Sequence, residues 1–163
     1  MNRVAVIAYT DGACKGNPGP GGWSAILVRQ DGEQEICGGS PATTNNRMEL
    51  TAVIEVMKSC DVPSDITIVT DSTYVMISKE KWQRWSKKPN LPNKDLWLQL
   101  IEVGRKGNHH LHFQHVDGHS GHVYNERCDT IAKMQASKIA VQRQVFPSLT
   151  DIASVLEERT AER

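Results

Sequence analysis

Hydrophobic and polar positions follow two different periods along the chain, and these periods divide it into strands and helices. Apolar runs at residues 4–10, 23–29 and 33–38 predict three strands. The last two are joined by Gln30-Asp31-Gly32, and Asp-Gly between apolar runs is a strong hairpin signal. We therefore expect an antiparallel meander, with the glycine- and proline-rich residues 11–22 forming a loop after the first strand.

The pattern then changes to a helical period, because Leu50, Val53, Ile54 and Met57 fall on one face of a helix at 46–58. The later elements are a strand at 65–70, helices at 72–85 and 95–105, a strand at 111–116 and a helix at 125–140. The order βββαβααβα predicts an α/β fold with one five-stranded mixed sheet. It would contain the antiparallel meander plus parallel strands, with helices on its faces.

The length of 163 residues suits a single domain, which we place at residues 1–140. Residues 141–163 are predicted to be a C-terminal tail or a short appended helix, with Leu149, Ile152, Val155 and Leu156 on its apolar side. No apolar run approaches the roughly 18–20 residues that span a bilayer. The first residues lead into a strand without the features of a signal peptide, so we expect a cytoplasmic protein. We also expect it to be a monomer and not to associate with membranes.

The cysteines and the charges narrow the function further. Cys14, Cys37, Cys60 and Cys128 contain no CxxC pair, so free thiols are expected. The net charge is zero, which by itself argues against a nucleic-acid partner. Residues 79–94, however, hold six basic side chains and one acid, a net charge of +5, so the rest of the chain carries −5. This basic stripe predicts a polyanion-binding surface; the alternative is a solvated helix face with Trp82 or Trp85 in the core.

Four acidic residues lie where chemistry is expected. Asp11 and Asp71 follow threonines at the ends of two predicted strands, where side chains face a crevice in α/β folds. Glu49 and Asp129 lie early in two predicted helices and border their apolar faces. Two carboxylates about 4 Å apart repel by about 4 kcal/mol at an effective dielectric of about 20. A cluster of this kind therefore needs a cation or raised pKa values, and oxygen ligands favour Mg²⁺ or Mn²⁺.

Each acid also has an alternative interpretation on its own. Asp11 and Asp71 could be ordinary turn aspartates, and Asp129 a solvated helix residue. Asn46 to Glu49 fits a capping box, in which Glu49 would only accept a hydrogen bond from the Asn46 amide. The joint pattern of the four acids, together with the residues around them, favours a metal site.

The segments around these acids resemble the four motifs of ribonuclease H of the type 1 class, the bacterial ribonuclease HI kind. They are YTDGACKGNPG at 9–19, TTNNRMEL at 43–50, TDSTYV at 70–75, and GHSGH at 118–122 followed by NERCD at 125–129. The resemblance covers residues 4 to about 138 and includes the order βββαβααβα.

The resemblance implies an endoribonuclease that cuts the RNA strand of an RNA–DNA hybrid and leaves 5′-phosphate and 3′-hydroxyl ends. It implies that Asp11, Glu49, Asp71 and Asp129 are the catalytic, metal-binding acids. Two Mg²⁺ ions, replaceable by Mn²⁺, would act on the scissile phosphate in the substrate complex. His119 would assist proton transfer or product release, a role that suits an ordinary histidine pKa.

The resemblance also assigns substrate contacts. On the RNA side, where 2′-hydroxyls must be sensed, the matching residues are Gly12, Cys14, Asn17 and Asn46. On the DNA side, the residues that match a phosphate pocket or a basic protrusion are Thr44, Asn45, Asn93, Trp82, Arg84, Trp85, Lys87 and Lys88, while Asn17 matches the pocket as well. The segment between Trp85 and Asp95 is shorter than in the bacterial enzymes that it resembles, so we expect a truncated protrusion.

Three alternatives stay open from the sequence. The six histidines, all between positions 109 and 122, could bind zinc, although no cysteine or helical HxxxH spacing supports this. The chain could be a binding domain that has lost activity, but it retains all four acids and His119. It could also be a nuclease that acts on DNA, although Asn45, Asn46 and the loop between Gly12 and Asn17 favour RNA.

Overall fold

The computed structural model describes residues 2–145. Its central feature is a five-stranded sheet in the order β3-β2-β1-β4-β5. The strands are β1 (Val4–Cys14), β2 (Gly19–Arg29), β3 (Gly32–Thr43), β4 (Ser64–Thr70) and β5 (His110–His115). The first three pair antiparallel, whereas β1 with β4 and β4 with β5 pair parallel. The predicted mixed sheet is therefore confirmed.

The helices follow the predicted order. They are α1 (Asn45–Lys58), α2 (Lys79–Trp85), α3 (Lys94–Gly107) and α4 (Val123–Val145). Within residues 2–145, no helix combines the length and the apolar character that a bilayer crossing requires. The four cysteines are free, as expected.

The helices cover both faces of the sheet. Ala25 and Leu27 of β2 belong to a buried cluster with side chains of α1 and α3, including the fully buried Trp97. Ser24 of β2 instead donates a hydrogen bond from Oγ to the carbonyl oxygen of Cys128 in α4, at 2.6 Å. Since neighbouring side chains of a strand point to opposite faces, α4 packs on the face away from α1 and α3. Full burial of each large aliphatic side chain in this core stabilises the fold by about 1.5–3 kcal/mol.

The predicted loop at residues 11–22 is mostly wrong, because β1 runs on to Cys14 and β2 begins at Gly19. Gly16 turns the chain with a φ of 65°, whereas Gly21 and Gly22 are needed for close packing. A Cβ added to Gly22 would lie 2.2 Å from the carbonyl oxygen of Ala132 in α4. A Cβ added to Gly21 would lie 2.4 Å from Cγ2 of Thr43 in β3. Glycine at positions 21 and 22 of β2 therefore lets β3 and α4 pack closely against this strand.

The predicted helix at 72–85 is wrong in its first half. The chain forms a single 3₁₀ turn at Thr73–Val75, and α2 starts only at Lys79. Val75 is fully buried, which anchors the turn in the core. Ser78 is the N-cap of α2, and its Oγ accepts a hydrogen bond from the Lys81 amide at 3.1 Å.

The last helix differs at both ends from the predicted 125–140, because α4 runs over Val123–Val145. It therefore crosses the domain boundary that we placed at residue 140. The remainder of the predicted tail, including its proposed apolar side, lies outside the described residues.

Candidate active site

The parallel pairing of β1 with β4 brings the first two acids together. One register runs from Val4 opposite Ser64 to Tyr9 opposite Val69. Carried two residues further, it places Asp11 beside Asp71, as expected if the strands were neighbours. Asp11 lies within β1 rather than at its end, and Asp71 follows β4 directly.

Helix α1 supplies the third acid. Its N-cap is Thr44, whose Oγ1 accepts a hydrogen bond from the Arg47 amide at 3.2 Å. The capping box proposed from Asn46 to Glu49 is therefore wrong, and Glu49 is free of that role. Glu49 is buried instead, at 7% exposure, and its carboxyl group points to Asp11. The approach requires glycine at position 12, because a Cβ there would lie 2.6 Å from the Glu49 amide nitrogen.

Asp11, Glu49 and Asp71 form one close group, in which a ligand oxygen from each lies within 4.8 Å of the others. Burial raises the pKa of Asp11 to about 7; a hydrogen bond with Glu49 opposes this rise, and the charge of Asp71 adds to it. Burial raises the pKa of Glu49 well above its ordinary range, and the charge of Asp11 and their shared hydrogen bond raise it further. The group thus resists full ionisation until a cation joins it.

Asp129 lies at the same cavity but outside this close group. Its Oδ2 is 2.8 Å from Nζ of Lys133, one helical turn further along α4. Its charge still reaches the site, where it helps to raise the pKa of Asp11. The structure therefore brings three of the four predicted acids together and pairs the fourth with a lysine. Sequence reasoning missed Lys133, although an acid and a base four residues apart on a predicted helix would have indicated it.

The acids open into a cavity of about 650 Å³. His119 lines it from the loop between β5 and α4. The φ angle of His119 is 57°, a left-handed conformation that is uncommon for a residue with a side chain. The loop lies directly against Asp71, because a Cβ added to Gly118 would be 2.9 Å from Oδ2 of Asp71. His115 of β5 also contacts Asp71, through Nε2 at 3.2 Å from its backbone oxygen.

The alternative zinc site would require several histidine ligands close together. Among residues 2–145, the one group of three or more close histidine, cysteine or carboxylate ligands is Asp11, Glu49 and Asp71. The histidine cluster of the sequence therefore gains no support as a metal centre from the described residues. Its members are His109 just before β5, three histidines within β5 and two in the loop that follows it.

A family model described as RNase H matches residues 3–137. The chain belongs to the ribonuclease H family. Ribonuclease H from Ehrlichia ruminantium is 48% identical over 146 residues, which cover 85% of this chain and 97% of that protein. Ribonuclease HI from Caulobacter vibrioides is 47% identical over 135 residues, which cover 78% and 89%.

A solved structure agrees with this assignment. LC9-RNase H1, described as a type 1 RNase H with the type 2 active-site motif, matches with a TM-score of 0.73 at 28% identity. The match covers 85% of this chain and 74% of that one. The resemblance to type 1 ribonuclease H is confirmed, and the chain is a nuclease.

The residues that ribonuclease H similarity assigns to the RNA strand lie in β1, the turn after it and the first turn of α1. Gly12 and Cys14 line the cavity of the acids, and so does Asn45. The Asn17 side chain, in the turn between β1 and β2, accepts a hydrogen bond from the Asn45 amide at 3.0 Å. Asn46 is exposed in the first turn of α1. A hydrogen bond thus joins the turn to the start of α1, and these residues together with Gly12 and Cys14 are called the polar rim below.

The residues assigned to the DNA phosphate pocket are linked through Arg47. Asn93 adopts a left-handed conformation just before α3, and its Oδ1 accepts a hydrogen bond from Nη1 of Arg47 at 3.3 Å. Its Nδ2 donates to the hydroxyl of Tyr74 at 2.9 Å. Arg47 also holds the Asp95 carboxylate with two hydrogen bonds, of 2.9 and 2.7 Å. This brings Asn93 to the helix that begins with Thr44 and Asn45.

Sequence reasoning missed Arg47 and Tyr74 as the residues that hold Asn93. No spacing rule would have found them, because Arg47 and Asn93 are 46 positions apart in the chain.

The basic stripe lies on α2, the turn after it and Lys94 at the start of α3, and none of its residues lines the cavity of the acids. Trp85 packs edge-on against Trp97 with ring centroids 5.8 Å apart, and Nζ of Lys81 lies 4.5 Å from the Trp85 centroid. Trp82 lines a separate cavity of about 420 Å³ between α2, α3 and β5. Trp82 and Trp85 are therefore both half-buried. This agrees in part with the alternative interpretation, which expected one of them in the core. The basic residues that stay exposed, with no ion pair inside residues 2–145, include Arg84, Lys87 and Lys88.

Proposed function

We propose that this ribonuclease H is an endonuclease that hydrolyses the RNA strand of RNA–DNA hybrids with two Mg²⁺ ions. Its products would carry 5′-phosphate and 3′-hydroxyl ends. The observation that carries the proposal is the close group of Asp11, Glu49 and Asp71, the first two of them buried, in a chain of this family. The substrate and the ions are inferred from the family, and the geometry of the acids supports them.

The acids fit a hard divalent cation. All donors in the close group are carboxylate oxygens, which Mg²⁺ and Mn²⁺ prefer. Among the described residues, Oε2 of Glu49 is buried without a hydrogen-bond partner, as expected for an oxygen that a cation would occupy. Asp11, Glu49 and Asp71 would hold the metal, and Asp129 would join them from α4. The chemistry that the ions would supply when bound is activation of a water molecule as nucleophile and stabilisation of charge on the leaving 3′-oxygen.

The protein's own groups set the conditions for this chemistry. Because the pKa of Asp11 is raised to about 7, a proton competes with the cation for this carboxylate below that pH. His119 lines the same cavity with an exposed ring, where it can give or take a proton at the edge of the acid group. We propose the role of general acid–base assistance or product release for this residue, and such assistance contributes about 10²–10⁴-fold.

The polar rim and the basic stripe are proposed to bind the two strands. On the rim, Gly12, Cys14, Asn17 and Asn46 combine short polar groups with accessible backbone, which recognition of a 2′-hydroxyl requires. Thr44, Asn45 and Asn93 would bind a phosphate of the DNA strand. The exposed cations of α2 and the turn after it would bind further phosphates.

Labelled substrates test the proposal directly. An RNA–DNA hybrid, an RNA duplex and a DNA duplex are each offered with Mg²⁺ and then with excess chelator, and the ends of the products are analysed. We expect cleavage of the hybrid alone, 5′-phosphate ends and no cleavage with chelator. Cleavage of the DNA duplex would favour a DNA-directed nuclease, and hybrid binding without cleavage would favour a binding domain. An Asp71→Asn preparation controls for contaminating nucleases.

Three further expectations stay predictions from the sequence. They are the cytoplasmic location, the monomeric state, and the division into a catalytic domain and a C-terminal tail.

A further inference from the structure

Lys133 carries an ammonium group into the cavity of the acids. Its Nζ lies 2.8 Å from Oδ2 of Asp129, and its side chain lines the cavity together with all four acids. The two residues are one turn apart on α4, inside a long regular helix, so the backbone holds their spacing fixed. The Asp129 side chain is 25% exposed and the Lys133 side chain 60%, so the carboxylate is partly shielded from water while the ammonium group stays accessible to it.

The ion pair occupies Oδ2, one of the two carboxylate oxygens that Asp129 could offer to a metal ion. Asp11, Glu49 and Asp71 supply oxygens within 4.8 Å of one another, whereas Asp129 is absent from this close group. A divalent cation that approaches Asp129 therefore meets an ammonium group already bound to the carboxylate. The cation must either displace the ammonium group or share the carboxylate with a like charge.

We propose that Lys133 is a positioning residue that holds Asp129 in the metal-free enzyme and competes with the divalent cation for this carboxylate. It thereby weakens metal binding at the Asp129 side of the site. The inference rests on the proposed function, because it requires the four acids to be the metal-binding residues. It adds a residue that limits how tightly the ion binds.

The test is Mn²⁺ binding to the chelator-treated protein, measured by isothermal titration calorimetry without substrate. We expect Lys133→Gln to bind Mn²⁺ about five- to tenfold more tightly than wild type, the order expected for removing one unit charge a few ångströms away in a solvated site. Lys133→Ala should give the same result. Thermal unfolding of each metal-free variant checks that the fold is intact, which the 60% exposure of the Lys133 side chain favours.

Lys15 provides a matched control. It lines the same cavity but makes no ion pair within residues 2–145. Lys15→Gln therefore removes one positive charge from the cavity without freeing Asp129, and we expect a smaller gain in Mn²⁺ affinity. Equal gains for Lys15→Gln and Lys133→Gln would show a general field effect and overturn the proposal.

A double-mutant cycle tests whether Lys133 acts on metal binding through Asp129. In an Asp129→Asn background, Lys133→Gln should no longer tighten Mn²⁺ binding, because the contested carboxylate is gone. An unchanged or weaker affinity of Lys133→Gln in the wild-type background would overturn the inference.

The same titrations separate this inference from the proposed function. If wild type binds no Mn²⁺ at millimolar concentration, or if Asp71→Asn binds it equally well, the metal assignment fails and the inference fails with it. If wild type binds Mn²⁺ and Asp71→Asn weakens binding, an unchanged Lys133→Gln refutes the inference alone.

Discussion

Replacing Asp11 by asparagine should stabilise the metal-free protein above neutral pH. Asp11 is 4% exposed and lies close to two further carboxyl groups, those of Glu49 and Asp71. Asparagine keeps the shape of the side chain, and its Oδ1 can still accept the hydrogen bond that the Gly12 amide donates at 2.9 Å. Its amide can donate to Glu49. The variant therefore removes a buried charge and leaves the local hydrogen bonds in place.

The magnitude follows from the pKa of Asp11, which burial raises from an ordinary 3.8 to about 7. The folded state binds this proton more tightly than the unfolded state. Stability is therefore lost as the pH rises from about 4 to about 7, and the loss is complete above that range. Each tenfold change in proton affinity corresponds to about 1.4 kcal/mol. Ionisation of Asp11 therefore lowers the free energy of unfolding by about 4 kcal/mol at pH 8. Asp11→Asn has no such proton to lose.

Urea unfolding followed by circular dichroism measures the effect. Wild type and Asp11→Asn are compared in excess chelator at pH 5 and at pH 8, and the difference in free energy of unfolding is taken at each pH. We expect the advantage of Asp11→Asn to grow by a few kcal/mol between the two. Asp31→Asn, at an exposed turn position, is the control and should show no such growth.

Two results would refute the reasoning. One is an Asp11→Asn protein that is no more stable than wild type at pH 8 without metal. The other is a difference in free energy of unfolding between the two proteins that does not change between pH 5 and pH 8.

Millimolar Mg²⁺ should stabilise wild type at pH 8 far more than Asp11→Asn, because only a ligand that binds the folded state shifts the equilibrium.

Three further predictions concern activity. Asp71→Asn should abolish hybrid cleavage in Mg²⁺ with an unchanged circular dichroism spectrum, and wild-type turnover would exclude Asp71 as a metal ligand. His119→Ala should lower kcat by about 10²–10⁴-fold in steady-state assays without abolishing it, since the metal chemistry would remain; no change would remove His119 from the mechanism. Alanine at three exposed cations of the basic stripe should raise KM more than it lowers kcat. The slope of log affinity for the hybrid against log salt concentration should also flatten by about 0.7–0.9 for each phosphate contact that is lost. The three are Arg84, Lys87 and Lys88. An unchanged KM and salt slope would make the stripe a solvated face.

The sheet and the three clustered acids could be predicted because each depends on a local and strong signal. Alternation in the strands and the Asp-Gly turn at Asp31 indicate the meander. The repeated Thr-Asp ending of two strands, once these pair in parallel, places Asp11 and Asp71 side by side. Glu49 follows from its border position on the apolar face of α1.

The misplaced elements depend on contacts between distant segments. Gly21 and Gly22 read as turn residues, yet their role is to admit Thr43 and Ala132. Residues 72–78 have a sequence compatible with a helix, but the burial of Val75 imposes a 3₁₀ turn on them. Tertiary packing decides both cases, and a local pattern does not contain that information.

The zero net charge of the chain is compatible with nucleic-acid binding because its charges are separated in space. Four acids line the cavity against two lysines, Lys15 and Lys133, whereas the exposed cations of the basic stripe on α2 and the turn after it do not line it. A phosphate would be repelled by the metal-free cavity and attracted by the stripe, so substrate affinity and the metal requirement are assigned to different residues. It follows that Asp71→Asn should keep its affinity for the hybrid while it loses cleavage. A filter-binding assay in chelator would detect that separation, and a parallel loss of binding would show that the acids also organise the substrate surface.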